Sequence, residues 1–390
     1  MKNIFFRHRM SFLFSFIGFA VLLFVAIACN KTPYAYSYNE GLKPMPGGPR
    51  LPSTPYIYPN ANGSNNDIIT LGRVLFYDKN LSADNSVACG SCHQQANGFA
   101  DNKAFSTGFG AQQTPRNAHS LCNTNDSKFW DGKVDGGGGA TPGGIIPGGD
   151  GGYGGAQATP ILTVPFQSHV ELNMPDGNVL CSKLSALPYY PYLFNKAFQS
   201  NTVSIDQIEQ AIGSFIATIT VSNSRFDQAF PSNGASGSIS LSPQEQAGMT
   251  IFNGKGKCAD CHIASQSFAG TSGQFEDIGL DAVYGNDKGR GAITNSSQDN
   301  GKFHVPSLKN VALSAPYMHD GRFANLNQVV DFFSDNIQNS PNLSGTLSSG
   351  GTAIRLGLTA TEKNNLVAFL QTLTDNSLVT DIRYSDPFKH

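Results

Sequence analysis

Charge is scarce in this chain. Only 14% of its 390 residues are Asp, Glu, Lys or Arg, and 26 basic against 28 acidic residues leave a formal net charge of -2. There is no basic footprint for nucleic acid and no strong acidic field, so charge says little about partners. Tryptophan is almost missing, with Trp130 the single one. The glycine-rich stretch Gly136 to Gly155 has no Gly-Lys-Ser/Thr sequence or helix start behind it, which excludes a phosphate cradle. It is too poor in side chains to bury anything and reads as a surface loop inserted in a folded domain.

What the chain does have is a pentapeptide in two copies, Cys89-Gly90-Ser91-Cys92-His93 and Cys258-Ala259-Asp260-Cys261-His262. Cysteines three apart lie on one side of a helical turn, and a histidine directly after the second is carried under whatever the thiols hold. One copy alone could be a zinc half-site or a redox dithiol. Two copies point to c-type haem, whose vinyl groups form thioethers with both thiols and whose iron takes the histidine as proximal ligand. The expected cofactors are therefore two c-type haems, held by Cys89, Cys92 and His93 and by Cys258, Cys261 and His262, with His93 and His262 on the irons. The length suits two domains, about one for each motif.

The first 28 residues carry Lys2, Arg7 and Arg9, then the apolar run Ser11 to Ala28, and read as an export signal. Cys29 after Val25-Ala26-Ile27-Ala28 resembles a lipoprotein processing box, with Ala26 where leucine is usual. A cleaved soluble form and an uncleaved anchor are the alternatives. Each puts the body outside the cytoplasm, in the periplasm or cell envelope, where c-type haem is attached. Residues 29–66, rich in Pro, Tyr, Asn and Gly, read as a flexible tether. Of the seven cysteines, Cys122 and Cys181 remain, either as a disulfide or as two separate thiols.

The spacing of Ile68, Leu71, Val74 and Leu75 predicts a helix leading to the first motif. Ser242-Pro243-Gln244-Glu245 caps a matching helix before the second. Gly72 and Phe76 in the first recur as Gly248 and Phe252 in the second. This reads as an internal repeat in which the glycine admits a close helix crossing and the phenylalanine packs on the haem edge; chance helix packing is the plainer alternative. Ser204-x-x-Gln207 caps a helix closing the first domain and Thr359-x-x-Glu362 one closing the second. The expected organisation is mainly α: two cytochrome c-like domains, 67–231 with the insert 136–155 and 240–385, each with one covalent haem, packed around an interface.

From Leu71 to Thr374 the chain resembles the bacterial di-haem cytochrome c peroxidases and their MauG-type relatives. The resemblance rests on Leu71-Gly72-Arg73-x-Leu75-Phe76-x-Asp78, both haem motifs, Pro115-Arg116-Asn117, Phe129-Trp130-Asp131-Gly132 and Val170-Glu171-Leu172. In the second half it rests on Val305-Pro306-Ser307-Leu308-Lys309-Asn310-Val311-Ala312 and Ala315-Pro316-Tyr317-Met318-His319-Asp320-Gly321. It implies an N-terminal haem that reacts with hydrogen peroxide and a C-terminal haem that takes electrons from a small donor such as cytochrome c. By the same resemblance Glu171 is the distal acid/base, with the perturbed pKa of a desolvated carboxylate, and His169 beside it lines the pocket or faces solvent. Trp130 links the haems, and Asn117, Ser314 and Pro316 hold one calcium ion through an amide oxygen and two carbonyls.

Two positions depart from the family. The histidine that blocks the first iron in many members falls in Ser106 to Gln112, where the matching residue is Phe109; this implies an open or water-ligated first haem. His119 is a weaker candidate for that histidine, set against an interface role. The sixth ligand of the second haem, methionine or tyrosine in relatives, falls at Phe333; Met318 is nearby in sequence and could serve if its loop turns inward, but the matching Met-His pair of relatives lies beside the haem without binding it, so this ligand stays open. The expected activity is peroxide reduction. A MauG-like oxidase acting on a protein or organic substrate and a plain electron-transfer cytochrome are the alternatives, and a homodimer stays open.

Overall fold

The computed structural model describes residues 48–52, 56–59, 64–122, 129–133, 160–231, 236–264, 267–268 and 270–389. The export signal, Cys29, the tether as far as residue 47 and the insert 136–155 lie outside them; the described residues 48–52 and 56–59, read as tether, instead pack on the first core, where Tyr58 is buried and the Arg50 amide donates to the Pro387 carbonyl. The described chain is mainly helical. In the first half are α1 (Asn66–Tyr77), α2 (Cys89–Cys92), α3 (Pro160–Gln167), α4 (Gly177–Ser185), α5 (Tyr190–Phe198), α6 (Ile205–Ala217) and α7 (Arg225–Ala229). In the second are α8 (Pro243–Asn253), α9 (Ala259–His262), α10 (Gly291–Thr294), α11 (Leu326–Asp331), α12 (Ala360–Gln371) and α13 (Asn376–Thr380). The sheets among the described residues are three antiparallel ladders of two-residue strands. No described helix is long and apolar enough to cross a membrane.

Each half is built on one helix crossing. Helix α1 packs on α6 and α8 on α12, and both crossings occur at the repeated glycine. A Cβ on Gly72 would lie 1.8 Å from the Ala211 carbonyl oxygen, and one on Gly248 would lie 2.0 Å from that of Asn365. The repeat extends to the aromatics: Phe76 and Phe215 have ring centroids 5.3 Å apart, as do Phe252 and Phe369. All four are fully buried. Ser204, Ser242 and Thr359 each cap their helix in a reciprocal box with Gln207, Glu245 and Glu362. Because backbone rather than a flexible side chain stands in the way, Gly72→Ala and Gly248→Ala are expected to cost at least the ~1–3 kcal/mol of an overpacked core. Thermal unfolding against a surface Gly345→Ala control, where a Cβ meets nothing, checks this.

Two main apolar cores result, one around Leu71, Phe76, Tyr190 and Phe215, the other around Phe252, Leu366 and Phe369. Their membership does not follow chain order. Phe226 belongs to the second core, while Leu378 and Tyr384 return to the first. Tyr384 donates its hydroxyl to the Thr218 carbonyl, and Tyr77 donates to the Tyr384 carbonyl. Cys122 and Cys181 are free thiols, so they do not form the disulfide that stood as one alternative.

Candidate functional site

The first pentapeptide forms one helical turn, closed by the His93 amide donating to the Cys89 carbonyl. The histidine is half-buried, and its Nδ1 lies 3.0 Å from the Phe99 carbonyl oxygen. A carbonyl can only accept, so Nδ1 carries the proton and Nε2 presents its lone pair, the tautomer an iron ligand needs. Burial pushes the His93 pKa down, with the Phe99 carbonyl, Asp101 and the His119 carbonyl opposing. Burial also pushes the Cys89 thiol up to about 12 and Cys92 to about 11.

Glu171 is brought to this motif by a turn that follows α3, where its amide donates to the Ser168 carbonyl. Its charge acts on both Cys89 and Cys92. Burial raises the Glu171 pKa, opposed by Lys133, which follows the Trp130 turn, and by the Ser168 hydroxyl. The Phe109 loop is fastened to the same turn: the Phe109 amide donates to the Val170 and Glu171 carbonyls, at 3.1 and 3.2 Å. A Cβ on Gly108 would lie 1.8 Å from the Val170 oxygen, so this approach requires glycine. Phe109 is half-buried and His169 is exposed.

The second pentapeptide opens onto a cavity of about 240 Å³ lined by Cys258, Cys261 and His262 with mostly apolar walls. His262 Nδ1 is buried with no hydrogen bond of normal geometry among the described residues. Burial pushes its pKa down to about 4, with the Gly270 and Pro306 carbonyls opposing. Two thiols, an imidazole and an apolar chamber form a donor set that fits a covalent haem. Met318, at φ 74°, and Phe333 both reach the cavity wall. Phe333 lies in a wider π turn, Phe332–Asn336, that continues α11.

The wall facing the first half is made of first-half residues. Trp130 lines it, donating Nε1–H to the Asn117 carbonyl at 2.9 Å and accepting from the His304 amide at 2.8 Å. The His119 ring stands edge-on to Trp130 at 5.4 Å and lines the same cavity. Asn117 donates Nδ2–H to the Lys103 carbonyl, leaving Oδ1 for another partner. Ser314 and Pro316 line the same cavity, and neither of their carbonyls accepts a hydrogen bond among the described residues. Sequence reasoning missed the ion cluster that ties the halves together here, in which Arg116 pairs with Asp131 at 2.5 Å and with Asp287 at 2.7 Å. The motif Pro115-Arg116-Asn117 marked the arginine, but Asp287 carries no local signal.

Residues 66–235 match the family model described as di-haem cytochrome c peroxidase. The chain is 30% identical over 349 residues to the cytochrome-c peroxidase IdrP2 of Denitromonas iodatirespirans, covering 82% of this chain and 85% of that one. It is 30% identical over 322 residues to the methylamine utilization protein MauG of Methylorubrum extorquens, covering 81% and 80%. Among solved structures it resembles a MauG-like protein associated with microbial copper homeostasis, with a TM-score of 0.68, 30% identity and coverage of 90% and 100%.

Proposed function

The chain belongs to the di-haem cytochrome c peroxidase family of oxidoreductases, and from that premise we propose that it reduces hydrogen peroxide to water with electrons from a small donor protein such as cytochrome c. The observation that carries this reading is the pairing of His93, fixed with Nε2 available, with the half-buried Glu171, whose carboxyl is within electrostatic reach of Cys89 and Cys92. When bound, haem supplies the iron at which the peroxide O–O bond breaks and a store for the electrons that complete its reduction. The rest is done by side chains. Glu171 takes a proton from one peroxide oxygen and returns it to the other, so that one peroxide, two electrons and two protons give two waters. Phe109, which has no group to bind iron, leaves the far side of the first site open.

Cys258, Cys261 and His262 hold the second haem in this reading, with Trp130 on the route between the two. Met318 is the thioether available to the second iron, and Asn117, Ser314 and Pro316 hold a calcium ion at the interface, which calcium titration of chelator-treated protein checks. The body is exported to the periplasm or cell envelope and tethered by lipid at Cys29, which labelling of a Cys29→Ala variant tests. Steady-state consumption of peroxide with reduced cytochrome c is the deciding experiment, and a chain that binds two haems yet oxidises no donor would end the proposal. The open first site makes a separate prediction: the fully oxidised protein shows a high-spin component. A spectrum of low-spin iron alone would refute it.

A further inference from the structure

The carbonyl that orients His93 belongs to a strained turn. Gly98 and Phe99 stand in succession at φ 61° and 58°. For a bulky aromatic residue this region is strained and persists only when the surroundings fix it. Three consecutive residues fix it here. Ser120 Oγ and Cys122 Sγ both donate to the Gly98 carbonyl, at 2.6 and 3.3 Å, and the Leu121 amide between them donates to the Phe99 carbonyl at 3.2 Å. Burial pushes the Cys122 thiol up to about 11, eased by Ser120 and Asn310, so it stays a protonated donor at neutral pH.

This grip is completed from the other half. Asn310 Nδ2 donates to Cys122 Sγ at 3.5 Å, while its Oδ1 accepts from the Asp375 amide at 2.7 Å. Asn310 is itself fully buried, at φ 58°, and its amide donates to the Leu373 carbonyl. Hydrogen bonds therefore run from Asp375 and Asn310 through Cys122 to the Gly98 carbonyl, one peptide along the chain from the Phe99 carbonyl that holds His93.

We propose that Cys122 and Asn310 are positioning residues for His93, joining the second half of the molecule to the turn that sets the proximal ring of the first site. The proposal rests on the reading of His93 as an iron ligand and is indifferent to the substrate. Outer-shell partners of this kind fix ring orientation and ligand basicity, and with them the metal's potential. His262, whose Nδ1 makes no hydrogen bond of normal geometry among the described residues, is the internal reference.

The test uses the full-length protein with both haems attached; the wild-type haem count, measured first, examines the reading of the two motifs by itself. The haem of each motif is identified from the variant lacking its cysteines. Cys122→Ala removes the link, Cys122→Ser restores a group that both donates and accepts, and Asn310→Gly keeps the left-handed backbone while deleting the side chain. At the potential where the wild-type first haem is half reduced, Cys122→Ala and Asn310→Gly are expected to change its oxidised-to-reduced ratio several-fold. Both should shift the iron–histidine stretch in its resonance Raman spectrum, Cys122→Ser should return both readouts towards wild type, and the second haem, whose cavity Cys122 also lines, should shift clearly less than the first. Wild-type ratio and stretch in Cys122→Ala and Asn310→Gly, or equal shifts at both haems, would overturn the proposal, the latter by showing general loosening rather than positioning.

Discussion

Glu171→Gln is expected to lower peroxide turnover by about 10²–10⁴-fold, the usual contribution of one positioned acid/base, while leaving haem content and melting temperature near those of the wild type. Glutamine has the size and hydrogen-bonding reach of the carboxyl but cannot carry a proton between two oxygens. The pH dependence distinguishes this from mere damage. Burial raises the Glu171 pKa above the ordinary glutamate range, with Lys133 and Ser168 opposing. A carboxyl that must first accept a proton works only when ionised, so activity falls as pH drops through the raised pKa, and the acid limb lies above the ordinary glutamate range. Removing the Lys133 charge should move that limb further up, because one of the two opposing influences is lost. In Glu171→Gln the limb itself should vanish. Wild-type turnover in the glutamine variant would remove Glu171 from the mechanism.

How far the sequence revealed this arrangement depends on how local each feature is. The capping boxes at Ser204, Ser242 and Thr359 close over three residues, so each carries its whole signature in four letters, and all three form. The glycine repeat was legible for a related reason: a helix crossing on backbone admits no Cβ, so Gly72 and Gly248 mark it in both halves. The two pentapeptides are equally local. Nothing local reports that His119, Ser120 and Cys122, all from the first half, line the cavity of the second pentapeptide. Nor does it report that Leu378 and Tyr384 at the far end of the chain complete the first core. The partner of His93 Nδ1 is a main-chain oxygen, which every residue possesses, so no side-chain pattern could have pointed to Phe99. Phe333 could be read as the residue matching the ligand position of relatives, yet the π turn that carries it was beyond a periodicity argument.

Trp130 makes the sharpest separation between the two halves of the proposed reaction. Its ring lines the cavity of His262 while its Nε1 is tied to Asn117, and its turn continues to Lys133, whose charge acts on Glu171. One turn of chain therefore touches both sites. Trp130→Phe keeps an aromatic ring in the wall but loses the hydrogen bond to the Asn117 carbonyl and the larger π system. The first encounter of peroxide with the fully reduced protein should proceed at the wild-type rate, since Glu171 and His93 keep their own hydrogen-bond partners. The transfer of electrons from the His262 side should slow by on the order of ten-fold, equivalent to about 1.4 kcal/mol of barrier, and steady-state turnover should fall with it. Stopped-flow absorption separates the two phases, because the haems differ in their surroundings. Were both phases to slow together, Trp130 would be a packing residue of the interface, consistent with its contact with His119; were neither to change, the electrons would pass by another route. Because the main-chain carbonyl of Trp130 also accepts from the His304 amide, a bond that the substitution preserves, the cavity wall itself should remain in place and a selective loss of the second phase would belong to the ring.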